Sequence, residues 1–293
     1  MAGQLKEVRN RIKSVQNTQQ ITKAMKMVSA AKLRKAQDAI IQMRPYARKL
    51  QEMLSNIVSS NGGDMSVDLA NERHIEKVLI ISVTSDRGLA GAYNSNLIKL
   101  TKQVINEKYS EQARKGNVTI WSIGKKGYEH FAKVKFKADA TYKDIFLHLS
   151  FELVQAAAQA AVKGFENKDF DVVELVYSEF KNAATQRFVV ERFLPIPKVT
   201  PKPGVKKTDF IFEPAKDQLI AELMPKILNT QLYKAVLDAN ASEHGARMTA
   251  MDKASENANE ILKELRISYN RARQAAITTE LTEIVSGAAA LQG

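Results

Sequence analysis

The sequence predicts an α/β domain inserted between two long terminal helices, which wind together as an antiparallel coiled coil. Three observations carry this. Apolar residues recur at alternating three- and four-residue steps over both chain ends. Of the 20 aromatic residues, only Tyr46, Tyr233 and Tyr269 fall outside residues 93–212, so the conventional core belongs to the middle. Residues 1–50 hold 12 Lys and Arg against 2 Asp and Glu, which concentrates the net charge of +12 in the first segment.

The first element covers residues 1–60. The series Leu5, Val8, Ile12, Val15, Gln19, Thr22, Lys26, Ser29, Leu33, Ala36, Ile40, Met43, Ala47, Leu50, Leu54, Ile57 is apolar except at four consecutive positions, Gln19 to Ser29. Beside those four the apolar residues shift back by one, to Ile21, Met25 and Val28, which predicts a local phase slip in one long helix. Pro45 should bend or break that helix. A helix–loop–helix pair broken near Pro45 is the competing reading.

The last element covers residues 216–293. Met251, Ala254, Ala258, Ile261, Leu265, Ser268, Ala272 and Ala275 keep the same spacing, and many are small enough for close helix approach. From Gln231 to Leu291 the chain would extend roughly 90 Å as a helix, at 1.5 Å per residue. Propensity alone does not hold such a helix; it needs a partner stripe, and the N-terminal helix offers one.

Residues 70–215 read as the inserted domain. Val78–Thr84 is an apolar, β-branched strand, followed by a Gly-containing turn and an amphipathic helix over 96–109. Val118–Gly124 is a second strand with a helix from Lys125, and residues 146–165 form a further helix. Residues 171–180 and 187–196 are strands joined as a hairpin. The alternation argues for an α/β, Rossmann-like sheet. Gly62-Gly63 closes the first segment, and five of seven prolines lie in 195–214 as an exposed turn or hairpin before the last helix.

Composition excludes several functions. Without cysteine there is no disulfide scaffold, thiolate metal site or cysteine nucleophile. No apolar run reaches the roughly 20 residues of a membrane span, and charges at Lys6, Arg9, Arg11 and Lys13 interrupt any signal core. His74, His130, His148 and His244 lack metal-ligand spacing, and no nucleophile motif appears, so neither a metal, a cofactor nor a catalytic residue is assigned.

Ser85–Gly91 (SDRGLAG) follows the first strand, where doubly wound folds bind ligands. Its glycines match neither a dinucleotide fingerprint nor a P-loop, and a tight turn needs them anyway. The basic face is more informative: Lys6, Arg9 and Lys13 share a stripe, with Lys23 and Lys26, and Lys32 and Lys35, as further pairs. It reads either as a solvated coiled-coil exterior or as a surface steered to an acidic protein partner. A basic coiled coil binding nucleic acid is weaker, because no aromatic side chains interleave for stacking. Met25, Met27, Met248 and Met251 suit core gaps or an adaptable contact surface.

Three segments resemble a known family. These are residues 11–37 (RIKSVQNTQQITKAMKMVSAAKLRKAQ), 84–94 (TSDRGLAGAYN) and 242–291, which ends in RISYNRARQAAITTELTEIVSGAAAL. The family is the gamma subunit of the rotary, proton-translocating F-type ATP synthase. The resemblance implies a non-catalytic central-stalk rotor whose helices turn inside a ring of alpha and beta subunits. Its α/β foot would touch the epsilon subunit and the membrane ring of c subunits. It implies membrane association only through that complex, at the cytoplasmic face of a bacterial inner membrane, and no nucleic acid. Residue by residue, Arg273, Gln274 and Thr278 match positions that contact a beta-subunit loop. Met25 matches a position facing an acidic lever of beta, with Lys23 and Lys26 flanking it. Ile284 to Leu291 match the tip that turns in an apolar collar. Ala90 stands where many relatives have Cys, and nothing resembles the chloroplast regulatory insertion. No transit peptide precedes Ala2-Gly3, which favours a bacterial source. No family contact is carried onto residues 197–207 (PKVTPKPGVKK).

Overall fold

The computed structural model describes residues 2–60, 68–183, 185–196 and 216–292. The Gly62-Gly63 joint and the Pro-rich stretch 197–215 lie outside them. Two compact units divide the chain: residues 30–247, and residues 1–29 with 248–293. Two long helices supply parts of both, α1 (Ala2–Ser60) and α6 (Lys216–Gln292). Between them come β1 (Val78–Val83), α2 (Tyr93–Lys108), α3 (Ser110–Arg114), β2 (Val118–Ile123), α4 (Lys125–Lys133), β3 (Lys137–Asp139), α5 (Phe151–Glu166), β4 (Val172–Phe180) and β5 (Gln186–Leu194).

The larger unit is built on a five-stranded sheet in the order β3-β2-β1-β4-β5. β1 lies in the middle, parallel to β2 and β4; β3 is parallel to β2, and β5 returns antiparallel on β4. A central parallel strand is covered on both faces, which is why VLIISV is apolar without alternation. Val78 and Ile80 point to one side, with Leu97, Val104 and Ile105 of α2 and Phe131 of α4. Leu79, Ile81 and Val83 point to the other, against Val154, Ala158 and Phe165 of α5 and Leu228, Leu232 and Val236 of α6. Each such Leu, Ile or Phe contributes about 1.5–3 kcal/mol by leaving water. The turn after β2 needs Gly124, whose φ is +103°; a Cβ there would collide with the carbonyl oxygen of Thr84.

The structure departs from the sequence reading in three places here. The helix expected over 146–165 starts only at Phe151, after a separate 3-10 turn at Ile145–His148. Ser150 is extended, and its hydroxyl accepts from the Leu153 amide at 3.4 Å, so an N-cap sets the start. The short edge strand β3, Lys-Ala-Asp, has no apolar pattern to reveal it. Helix α1 runs through Pro45 as the one long helix expected, without the local break or the helix–loop–helix division that the proline also suggested. The donor that Pro45 lacks would have served the carbonyl of Ile41, an exposed residue.

The smaller unit is the antiparallel helix pair. Arg9 donates to the Tyr269 hydroxyl at 3.0 Å, the hydroxyls of Thr22 and Ser255 lie 2.7 Å apart, and Lys26 meets Asp252 at 2.5 Å. Numbers rise along one helix as they fall along the other, which is the antiparallel register.

Candidate functional site: the helix pair and its outward faces

The seam of the helix pair corrects the predicted phase slip. Gln19, Thr22, Lys26 and Ser29 keep the seam positions, with Thr22 and Ser29 buried. Ile21 and Val28 instead face outward, 59% and 57% exposed. These polar residues hold the seam positions because each of three finds a partner across it. The Gln19 amide donates to the Ser255 carbonyl at 3.5 Å, Thr22 meets the Ser255 hydroxyl, and Lys26 pairs with Asp252. Ser255 also donates to the carbonyl of Met251 at 2.8 Å. A satisfied polar group can occupy a seam at modest net cost, whereas an unsatisfied one cannot.

The C-terminal stripe is corrected likewise. Met251, Ser255, Ala258 and Leu262 are buried, and Leu265, Tyr269, Ala272, Ala276 and Thr279 half-buried. Every second member of the predicted series holds. The alternates shift by one, because Ser255 rather than Ala254 meets Thr22, and Tyr269 rather than Ser268 receives Arg9, whose guanidinium lies 5.7 Å from the ring centroid. Ile261, Ser268 and Ala275 are exposed.

The residues singled out from the sequence fall into two places. Lys23 is exposed and Met25 half-buried, while Lys26 is committed to Asp252. Arg273 and Gln274 are exposed; Thr278 is exposed too, and its hydroxyl donates to the Gln274 carbonyl one turn back, at 3.0 Å. Since position 255 sits opposite Thr22, Arg273 lies some 18 residues further along α6, roughly 27 Å by helical rise. The structure therefore does not bring the two groups together.

Sequence reasoning missed the outward apolar face of α1, formed by Ile21, Met27 and Val28. Apolar periodicity alone assigns Ile21 and Val28 to the seam. Extending the register of the Arg9–Tyr269 contact puts the first residues of α1 opposite position 276, and α6 continues past them. There residues 280–289 are all exposed, including Leu281, Ile284 and Val285. Polar groups inside and large apolar ones outside invert the usual arrangement, and such surfaces mark contact with other protein.

In the larger unit, the turn Ser85–Gly91 is closed on itself. The Asn94 carboxamide oxygen accepts from the Ser85 amide at 3.0 Å, the Ser85 hydroxyl donates to the Arg87 carbonyl at 2.7 Å, and Asp86 accepts from the Lys125 amide at 3.3 Å. Arg247 donates to the carbonyls of Arg87 and Gly88, at 2.9 and 3.3 Å, and pairs with Glu243. A phosphate cradle presents N–H groups to an open site; here carbonyls face an arginine. Burial holds the Asp86 and Glu243 carboxyls above the usual carboxylate range. Among the described residues no three His, Asp or Glu side chains gather as a metal site.

The family model for ATP synthase matches residues 4–291. The ATP synthase gamma chain of Cytophaga hutchinsonii is 51% identical over 290 residues, 98% of both chains. The chain belongs to the ATP synthase gamma chain family. A second member, from Chlorobaculum tepidum, is 48% identical over 98% of this chain and 99% of its own. Among solved structures, a chain of the Euglena gracilis mitochondrial ATP synthase, in a complex described as OSCP/F1/c-ring, aligns at a TM-score of 0.65 with 20% identity, covering 99% of this chain and 95% of that one. A Tetrahymena thermophila central stalk/c-ring chain aligns at 0.55 with 23% identity, covering 80% of this chain and 99% of that one. At these identities the alignments show a shared fold. No helix among the described residues is long and apolar enough to cross a membrane.

Proposed function

We propose that the chain is the central-stalk rotor of a proton-translocating ATP synthase. It couples proton flow through a membrane ring of c subunits to conformational change in catalytic beta subunits. Residues 1–60 and 216–293 serve as the shaft and 70–215 as the foot, which meets the epsilon subunit and the c ring. The chain has no catalytic site of its own. It is held at the cytoplasmic face of a bacterial inner membrane through the complex alone. A rotor shifts its partners only if its faces bind them unequally. The observation that carries the reading is the helix pair itself, whose exposed apolar residues Ile21, Met27, Val28, Ile284 and Val285 differ from one side and level to the next.

The partner contacts follow as part of the proposal. Arg273, Gln274 and Thr278 would meet a beta-subunit loop, and Met25 with Lys23 an acidic stretch of beta. Lys26 would have to exchange Asp252 for a partner's carboxylate. The nucleic-acid alternative rests on basic charge alone, and two of its cations, Arg9 and Lys26, are already engaged with Tyr269 and Asp252. The test is native purification through a tag on this chain, followed by reconstitution. Alpha and beta subunits in threefold excess over the chain, together with ATP-driven proton pumping, are expected. Recovery of the chain without them, or with nucleic acid that resists physiological salt, overturns the reading.

A further inference from the structure

From Ala235 to Arg247, α6 is buried on nearly every side. Only Asn240 and His244 of these thirteen residues are more than marginally exposed. A helix lying on a sheet ordinarily buries one stripe. Here more than three turns are enclosed, and Ala239, Ala241, Ser242, Gly245 and Ala246 keep the helix thin enough to fit.

Four contacts hold it, from three separate segments of the α/β domain. The buried Tyr93 at the start of α2 donates its hydroxyl to the carbonyl of Ala239 at 3.0 Å. Ser178 of β4 meets the hydroxyl of Ser242 at 2.6 Å. The backbone of Ala183, between β4 and β5, comes so close to Gly245 that a Cβ there would lie 3.1 Å from its carbonyl oxygen. Arg247 grips the carbonyls of Arg87 and Gly88. At about 100° per residue these four positions spread over roughly 200° of the helix circumference. Contacts so spread resist both turning and sliding of the helix, which a single stripe of apolar contacts would not. Ile40 and Met43 of α1 line a cavity together with Leu237 and Asp238, so α1 lies along a further side.

We infer that residues 239–247 of α6, with Tyr93, Ser178, Ala183 and the Arg87–Gly88 turn, form the clutch by which the α/β domain holds and turns the helix. The inference rests on the rotor reading and adds where torque enters the shaft. These are positioning residues; none touches a reacting group. Tyr93 and Ser242 act on the angle of the helix, and Gly245 sets how near the hairpin can come.

The test uses the assembled, membrane-reconstituted enzyme. Gly245→Val pushes the Ala183 backbone away from α6. ATP hydrolysis should persist while protons pumped per ATP fall several-fold. Because the chain has no cysteine, Ser178→Cys with Ser242→Cys can be added to the same chain and oxidised. Hydroxyls 2.6 Å apart place two thiols within bridging range. The bridge should restore pumping, and reductant should abolish the rescue, an outcome a merely structural defect would not give. If Gly245→Val fails to assemble, Tyr93→Phe with Ser178→Ala removes two holds without adding bulk; pumping should then stall against a smaller proton gradient. Coupling equal to that of the unsubstituted enzyme in either test, or no rescue on oxidation, overturns the clutch. Failure of the unsubstituted complex to pump would instead overturn the rotor reading.

Discussion

The hydroxyls of Thr22 and Ser255 meet 2.7 Å apart inside the helix pair, at positions where a coiled coil ordinarily places hydrocarbon. Each also lies within reach of a carbonyl of its own helix, Gln19 at 3.0 Å and Met251 at 2.8 Å. A buried polar pair of this kind stabilises little and selects one register strongly.

Removing one partner should therefore cost more than removing both. Thr22→Val is expected to lower stability by about 1 kcal/mol, and adding Ser255→Ala to recover most of it. Register is the other readout. Cysteines introduced by Lys26→Cys and Asp252→Cys should cross-link efficiently in the parent chain and less so beside the double substitution. Denaturant titration and cross-linking yield measure the two effects. Equal cross-linking in both backgrounds would mean the hydroxyl pair does not set the register.

The Lys26–Asp252 pair is a weaker matter, despite its short separation. Both side chains are more than 40% exposed, at 41% and 45%, so solvent screens them. A double-mutant cycle with Lys26→Met and Asp252→Asn should return a coupling of at most about 1 kcal/mol, fading with added salt. That small value is what would let Lys26 change partners.

How legible the molecule was in sequence depended on whether apolar pattern or polar pairing set each feature. β1 and β2 are short runs rich in β-branched residues and almost wholly buried, and their ends are readable within a residue or two. β3 was not, because a charged three-residue edge strand exists only by pairing with β2. In the helix pair, counting apolar residues found that two stripes exist and face each other. It could not choose their phase at Gln19–Ser29 or between Ala254 and Ser255, where hydrogen bonds across the seam decide. The candidate contact residues came from resemblance to a family, since exposed Arg273, Gln274 and Lys23 carry no local signal of their own.

Two groups on α6, the buried Asp238 and the half-buried His244, should give opposing pH dependence. Burial, opposed by Lys234 and Arg44 and assisted by Glu179 and Glu191, raises the Asp238 carboxyl to about 6. The folded chain then binds the proton more tightly than the unfolded one, so this group's contribution falls as pH rises from its unfolded value near 4 to about 6. Burial first, then Arg247 and Lys32, lowers the His244 imidazole to about 4. There the unfolded chain binds the proton more tightly, so stability rises from pH 4 to roughly 6.5. The two slopes largely offset in the parent chain. Asp238→Asn should make stability rise more steeply with pH over this window, by as much as about 3 kcal/mol, and His244→Gln should make it fall by a similar amount. Denaturant titrations of each variant against the parent at pH 4, 5, 6 and 7 isolate each group; parallel curves would deny the shifts.

The last prediction separates the proposed contacts at positions 273–278 by what their side chains have free to give. Arg273 is exposed and its guanidinium offers five donors to a partner. Thr278 has already spent its only proton on the Gln274 carbonyl, which leaves acceptor capacity alone. If a partner carboxylate or carbonyl is what this face meets, Arg273→Ala should lower ATP-driven pumping several-fold, Gln274→Ala less, and Thr278→Val hardly at all. Hydrolysis should continue in each, since no reacting group is removed. Arg273→Lys should recover only part of the loss, because an ammonium cannot reproduce a bidentate fork. Unchanged pumping and assembly in Arg273→Ala would remove this contact from the proposal. A large effect of Thr278→Val with none from Arg273→Ala would instead point to a partner that donates, such as a backbone amide.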